Sequence, residues 1–462
     1  MTEHASIHPP DGSGDRLFEE SSRGAELARL WQLAWPTMLS MVGFTMMEVV
    51  DSFMVAPLGG QALAGMSISV VWSIASSTFS LGIVRGLEPL LAQAHGAGDR
   101  RALARALVHG AALSVLASVP AIVLHLCAAP GLLALGQPRE VLPTATGFCT
   151  ALAWGLPGSM LFEVVRGNLQ CQERVRSAAV VVVVANLVNA GADYVLIHGS
   201  SLTPRLGAIG CGYATSFSRW FMFALLLVLE RRALRAQLQH YVGGDLGIWL
   251  SRTLRVSVPV AAQMALEAWG YGTATLIVGW FGVSQLAVNN IAANLLSISF
   301  IASFSVATAA SVRVGNIVGA GGRVKLAVGT ALGFGAVVAA LPVAALLIAP
   351  MALIGLYTSD PDVVANARLF LPVAAAFPFV LGMFTLLLGI LKGLGDVRVP
   401  ALVSLVAFFF LGLPSGYFVA HALGGNAGGV WAGLSVALAL ACIVLGVRVQ
   451  RAWSAPVARL ER

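Results

Sequence analysis

Apolar runs of about 20 residues recur from one end of this chain to the other with short polar breaks between them, and that recurrence leaves few folds open. A helix of that length spans the roughly 30 Å hydrocarbon core of a bilayer, where backbone N–H and C=O groups find partners only within the protein. The runs cover 33–56, 62–84, 103–127, 142–163, 177–198, 206–229, 256–280, 287–311, 326–348, 367–388, 399–420 and 428–447. They predict an all-α integral membrane protein of twelve transmembrane helices with no room for a large soluble domain. Only 11% of the residues are charged, against about 25% in soluble domains.

The basic residues predict an orientation. If the N-terminus is cytosolic, 23 Lys and Arg residues fall on the inner side, among them Arg100, Arg101, Arg231, Arg232, Arg235, Arg323 and Lys325. The outer loops hold only Arg139, Arg205 and Arg368. By the positive-inside rule both termini of this multi-pass chain are expected in the cytosol, with the helices in the cell membrane. The same reading absorbs the net charge of +7, so no nucleic-acid partner is expected.

Residues 1–26 contain no apolar run and read as a disordered cytosolic tail rather than a cleavable leader. The domains expected after it are an N-lobe over 27–229, an Arg-rich cytosolic connector over 230–250, a C-lobe over 251–448 and a tail over 449–462. Five cysteines stand singly and read as packing residues, with no metal or disulfide spacing and no cofactor implied.

The two halves repeat. A shift of 223 sets Pro36 on Pro259, Gly59 on Gly282, Leu63 on Leu286, Gly96-Ala97-Gly98 on Gly319-Ala320-Gly321 and Arg100 on Arg323. A shift of 222 then sets Gly167 on Gly389, Leu169 on Leu391 and Val175-Arg176 on Val397-Arg398. Six runs per half make this a parallel repeat, predicting two pseudo-symmetric six-helix lobes with ion and substrate sites near the midplane.

Ionisable groups inside the runs are the natural site candidates, since each costs about 2.5–3.5 kcal/mol at the bilayer centre. Asp51 lies on one helical face with Glu48, and Asp193 on one face with Asn186 and Asn189. Asp51, Asn189 and Asp193 predict a polar pocket in the N-lobe. Gln263, Glu267 and Tyr271 at four-residue steps, with Asn290 and Asn294 on the next run, predict a second polar cluster for substrate or ion. Asn186, Asn294 and Ser297 serve equally well as interhelical glue, worth about 0.6 kcal/mol per bond. Glu48 reads equally as a site residue or as a carboxylate solvated near the outer interface. Arg85 with Glu88, and Glu163 with Arg166, read as interfacial ion pairs, His125 as a packing residue, and Arg219 as either a snorkelling residue or the partner of an N-lobe carboxylate.

The segments LAWPTMLSMVGFTMMEVVDSFMVAPLGGQALAG, EPLLAQAHGAG, VRGNLQCQERVRSA, ANLVNAGADYVLIHG and LGAIGCGYAT resemble the multidrug and toxic compound extrusion (MATE) family of antiporters. So do VSVPVAAQMALEAWGYG, SVRVGNIVGAG, LLLGILKGLGDVRVP and LGLPSGYF in the second half. The resemblance, from about residue 30 to 448, implies two six-helix lobes that alternate between inward- and outward-facing states and expel organic, often cationic, compounds against a proton or sodium gradient. It implies a cation site at Asp51, Asn189 and Asp193, and a helix bend at Pro36, with Pro259 as its repeat counterpart. Glu267 matches an acidic residue used by sodium-coupled members, while Leu381 stands where those members carry an aspartate.

The expected function is therefore secondary export of small organic, cationic compounds by proton- or sodium-coupled antiport, as a monomer. A primary pump is disfavoured because no GxxxxGK[ST] occurs, and an intramembrane enzyme because neither HExxH nor GxSxG occurs. A flippase of a lipid or lipid-linked substrate is the alternative reading.

Overall fold

The computed structural model describes residues 22–201, 203–355, 364 and 375–454, and every regular element among them is helical. The helices of the first half are α1 (Arg23–Val55), α2 (Gly60–Arg85), α3 (Glu88–Gly96), α4 (Arg100–Leu126), α5 (Ala128–Ala134), α6 (Leu142–Ala153), α7 (Leu156–Cys171), α8 (Arg176–His198) and α9 (Ala208–Leu229). There follow α10 (Arg231–Leu238), α11 (Leu246–Gly279), α12 (Val283–Ala320), α13 (Lys325–Ile348) and α14 (Pro350–Gly355). After the undescribed stretch come α15 (Phe377–Gly393), α16 (Arg398–Leu405), a π-helical segment Val406–Gly412, α17 (Leu413–Ala422) and α18 (Ala427–Ser454).

Among the described residues nine helices are long and apolar enough to cross a membrane, or ten if the bent pair α6 and α7 makes one span. The seventh apolar run lies on α11. The tenth begins outside the described residues and enters them as α15. The fourth is not one straight helix, because α6 and α7 meet at 45°. Pro157 in the first turn of α7 has no N–H to continue the ladder. Carbonyls freed there are taken up by α9, where Ser216 Oγ donates to Ala151 O at 2.6 Å and Trp220 Nε1 to Trp154 O at 2.8 Å.

Several helices outrun their apolar runs. The 38 residues of α12 extend about 57 Å at 1.5 Å per residue, well beyond the hydrocarbon core. Residues 23–26, expected in the tail, form the first turn of α1, where Ser22 accepts from Ala25 N and Glu26 is 1% exposed. Charge pairing brings that turn in: Arg313 of α12 donates to both Glu26 oxygens, at 2.6 and 3.0 Å. The stretch 230–250 likewise holds α10 and the start of α11.

Within the first half α1 packs on α8, α8 on α9, and α9 on α6 and α7. In the second half α12 packs on α13 and α15, and α15 on α18. The halves meet along α2 with α11, α3 with α12, and α1 with α12.

The sequence repeat is also a repeat of backbone conformation. Gly59 and Gly282, 223 apart, have φ of +104° and +110°, and Gly98 and Gly321, again 223 apart, have +67° and +75°. A Cβ on Gly96 would lie 1.8 Å from Asn316 O, and one on Gly319 would lie 2.0 Å from Gln93 O. Since 96 + 223 = 319 and 93 + 223 = 316, these two contacts are one contact with the partners exchanged, the signature of an isologous interface.

Polar groups reinforce this junction: Lys392 Nζ reaches Glu88 Oε2 at 2.6 Å, Gln93 Nε2 donates to Gly393 O at 3.2 Å, and Asn316 Nδ2 to Cys171 O at 3.2 Å. Glu163 and Arg166 pair as expected at 2.7 Å. Arg85 and Glu88 do not pair with each other. Arg85 takes Glu163 at 3.1 Å and Glu88 takes Lys392, because the cross-helix partners offer charge at a buried junction where the i,i+3 pair would face only itself. At the Gly96 contact a methyl group has no room, so Gly96→Ala is expected to destabilise the protein by about 1–3 kcal/mol, read as a lowered melting temperature in detergent.

Candidate functional site

Three helix ends build the site in the first half. Gly43 brings α1 and α8 together, since a Cβ there would meet Val182 Cγ1 at 2.5 Å. At the same level Asn186 Nδ2 donates to Gly43 O at 3.0 Å. Eight residues further along α1 is Asp51, and seven further along α8 is Asp193; with the two helices parallel, the acids arrive at one depth. The next helix, α9, returns antiparallel and brings Cys211 and Thr215 to the same place.

The result is compact. One ligand atom from each of Asp51, Asp193 and Cys211 lies within 4.8 Å of the others. Thr215 Oγ1 donates to Asp51 Oδ2 at 3.0 Å. Asp51 is 4% exposed, and Asn189 and Asp193 are fully buried. Among the described residues Asp51 Oδ1, both oxygens of Asp193 and both amide atoms of Asn189 have no hydrogen-bond partner. Buried polar atoms are almost always satisfied, so a cluster of orphans in one place marks a site that acts on something.

The chemistry follows from the donor set. Two carboxylates facing each other are acceptor against acceptor, and in a low dielectric their charges repel strongly. A proton shared between them, or a small hard cation held by their oxygens and the Asn189 carbonyl, relieves both problems. Cys211 and Thr215 escaped the sequence reading because Cys and Thr are ordinary packing residues in an apolar helix, and only their contact with Asp51 distinguishes them.

The second cluster is assembled in part. Gln263 Nε2 donates to Glu267 Oε1 at 3.1 Å, and Ser404 of α16 reaches the same oxygen at 3.5 Å. Tyr271 lies one turn on, its hydroxyl buried without a partner and its ring edge-on to Phe377 and Phe408. Phe408 belongs to the π-helical segment, a feature frequent at functional sites, and packs over Gly270, where a Cβ would meet it at 2.5 Å.

Asn290 does not join this cluster. It is exposed on α12, and its buried neighbour Asn289 instead accepts from Trp431 Nε1 at 2.8 Å. One step along a helix is a turn of about 100°, so adjacent asparagines take opposite environments. Asn290, Asn294 and Ser297 form an exposed polar stripe. Pro36 and Pro259 both lie inside continuous helices, α1 and α11. Leu381, on α15, is buried in the core. His125 is a satisfied packing residue, its ring nitrogens 2.8 Å from Ala121 O and 3.0 Å from Ser73 Oγ.

A bundle of membrane-length helices with acidic residues converging inside it defines a multi-span transport protein. The family model MatE matches the chain twice, over residues 36–195 and 259–418, and the two matches are themselves 223 residues apart. The probable multidrug resistance protein NorM of Burkholderia pseudomallei (strain K96243) is 32% identical over 443 residues, covering 93% of each chain. The multidrug resistance protein MdtK of Pectobacterium atrosepticum is 29% identical, covering 94% of this chain and 97% of its own. Among solved structures the eukaryotic MATE transporter AtDTX14 superposes with a TM-score of 0.84 at 22% identity, over 94% of this chain and 99% of that one. The Vibrio cholerae MATE transporter VcmN in its bent form gives 0.82 at 19%, over 94% and 98%.

The chain belongs to the MATE family. It is a multi-pass membrane protein that carries small molecules by secondary transport, and it is not an enzyme.

The close approach at Gly43 sets the depth at which the acids meet. Gly43→Leu is expected to drive α1 from α8 and cost about 1–3 kcal/mol, whereas Gly191→Ala, where a Cβ meets nothing within 4 Å, is expected to leave the melting temperature unchanged or raise it. Thermal unfolding of both variants in detergent checks the pair.

Proposed function

We propose that this protein exports small organic, cationic compounds across the cell membrane in exchange for protons or sodium ions, with Asp51, Asn189 and Asp193 as the coupling site. The observation that carries the proposal is the meeting of two acidic residues from separate spans with three of their four carboxylate oxygens unpartnered among the described residues. Each carboxylate is costly in hydrocarbon, and nothing in helix packing needs either one. The relatives named as multidrug resistance proteins support export of foreign compounds as the task.

The proposed architecture is twelve helices in two pseudo-symmetric six-helix lobes, 27–229 and 251–448, with both termini cytosolic and the chain working as a monomer. The paired glycine conformations and the reciprocal Gly96 and Gly319 contacts support the pseudo-symmetry. On the proposed cytosolic side the halves are joined by Glu26–Arg313 and Glu88–Lys392. Toward the other side two helices carry exposed polar residues, Thr45 and Glu48 on α1 and Asn290, Asn294 and Ser297 on α12. That asymmetry fits a state closed to the cytosol and open outward.

In this scheme the coupling cation enters from outside and neutralises the acidic pair. The N-lobe helices then repack and lower affinity for the bound compound, which leaves outward. After reorientation the cation leaves to the cytosol. Each ligand prefers one conformation, and that difference is the coupling. Gln263, Glu267 and Tyr271 form a second polar cluster for substrate or cation in the C-lobe.

Efflux of ethidium from proteoliposomes, under an imposed pH gradient or sodium gradient, tests the scheme. Asp51→Asn is expected to abolish gradient-driven efflux while eluting as a folded, monodisperse protein; full coupled transport by that variant sinks the proposal. Glu267→Gln is expected to slow efflux severalfold if sodium is the driving ion and to leave proton-driven efflux in place. For the orientation, Cys127 is the exposed cysteine at the outer end of α4, so a membrane-impermeant maleimide is expected to label it in intact cells. Labelling of Cys127 only after permeabilisation reverses the proposed topology.

A further inference from the structure

Among the described residues Arg219 is a basic residue at the middle of a span whose role the coupling scheme leaves open. It is the twelfth of the 22 residues of α9, about 15 Å from either end, a depth at which a guanidinium needs an acidic partner or a water-filled surround. It makes no ion pair or hydrogen bond among the described residues, and its Nη1 is buried without a partner.

Helix geometry shows what it faces. The hydrogen bond from Thr215 to Asp51 fixes α9 against α1. The two helices run antiparallel, so one turn toward the cytosol is reached by adding four to 215 and subtracting three from 51. Those residues are Arg219 and Glu48, which therefore stand level on facing helices, one turn below the acidic pair. Glu48 and Asp51 both lie within electrostatic range of Arg219. The other titratable groups around it are Asp193 on α8, His125 on α4 and Cys211 on α9 itself.

A structural duty for Arg219 at the adjacent break between α6 and α7 is already filled, because Ser216 and Trp220 cap its free carbonyls. Gly155 at that break leaves space for the arginine: a Cβ there would lie 2.9 Å from Arg219 Cδ. The glycine thus accommodates the arginine where it stands, with two carboxylates in electrostatic range.

We propose that Arg219 is the internal counter-ion of the coupling site, neutralising Asp51 when the driving cation has left and shifting to Glu48 when that cation binds. The inference rests on the coupling role proposed for Asp51 and Asp193. A tethered cation solves a problem that the acidic pair alone does not: after the cation departs to the cytosol, the carboxylates would stand uncompensated in a low dielectric until the next compound binds. Arg219 supplies the missing charge from within. It also makes release possible, because it competes with the bound cation for Asp51.

The test measures the concentration of driving cation that gives half-maximal ethidium efflux in proteoliposomes, for wild type, Arg219→Gln, Arg219→Lys, Glu48→Gln and Asp51→Asn. A unit charge about one helical turn away, at an effective dielectric near 20, changes cation binding by more than about tenfold. Removing the competitor in Arg219→Gln is expected to lower the half-maximal concentration at least about tenfold and to slow turnover, since the cation is released less readily. Arg219→Lys, which keeps the charge, is expected to stay near wild type. Glu48→Gln leaves Arg219 only Asp51 to neutralise and is expected to move the value the opposite way.

An unchanged value in Arg219→Gln, with Asp51→Asn uncoupled, overturns the counter-ion role and leaves the coupling site standing. Cation-dependent efflux that survives Asp51→Asn rejects the coupling site itself. Should Arg219→Gln not fold, Glu48→Gln decides, and an unchanged value there overturns the proposal.

Discussion

A polar group inside a bilayer must find its partner within the protein, and most of this structure can be read as an answer to that demand. The backbone answers with helices, which are the only regular elements among the described residues. Where the helix breaks, between α6 and α7, the answer comes from a neighbour: Ser216 and Trp220 of α9 take the freed carbonyls. Where charges are buried at the junction of the halves, they are paired, Glu26 with Arg313 and Glu88 with Lys392. Against that background the unpartnered oxygens of Asp51 and Asp193, the amide of Asn189 and the guanidinium of Arg219 stand out. Their concentration around one level of the first half is what the proposed coupling site rests on.

The junction between the halves joins this economy of partners to motion. Ion pairs between buried side chains are strong only while their geometry holds, and removing one partner typically costs about 3–5 kcal/mol. In the proposed scheme, opening the cytosolic side requires Glu26–Arg313 and Glu88–Lys392 to separate together with the glycine contacts at Gly96 and Gly319. These contacts are spread over α1, α3, α12 and α15, so they favour a switch between two arrangements over gradual loosening. Glu173 shows how closely the junction is tuned. It adopts φ of +61° where its repeat counterpart, 222 residues on, is Gly395 at +86°. The conformation costs a non-glycine residue about 1–2 kcal/mol, and here the carboxylate gains a place 3.7 Å from Arg313.

Much of the fold was legible in the sequence because its rules act on single helices. Apolar runs of membrane length mark the spans, the repeat at 223 and 222 marks two related halves, and an acid within a run announces itself by its cost. The reading was weaker where an outcome depends on a second helix. Asn290 and Asn289 cannot be ranked from one chain, since which faces inward depends on how α12 is rotated against α18 and Trp431. Arg85 and Glu88 look like a local pair, yet each has a better partner elsewhere. Cys211 and Thr215 lie in the family-like segment LGAIGCGYAT, yet their residue types alone do not single them out.

What the sequence determined by itself is therefore the solvent, the helical class, the internal repeat and the identity of the costly residues, because hydrophobic length, periodicity and the expense of a buried charge are properties of short stretches. What only the tertiary structure decided is who meets whom. The parallel packing of α1 on α8 at Gly43 and the antiparallel return of α9 bring Asp51, Asp193, Cys211 and Thr215 to one depth and set Arg219 level with Glu48. Those meetings depend on helix rotation and crossing in three dimensions, and neither is written in the spacing of residues along one helix.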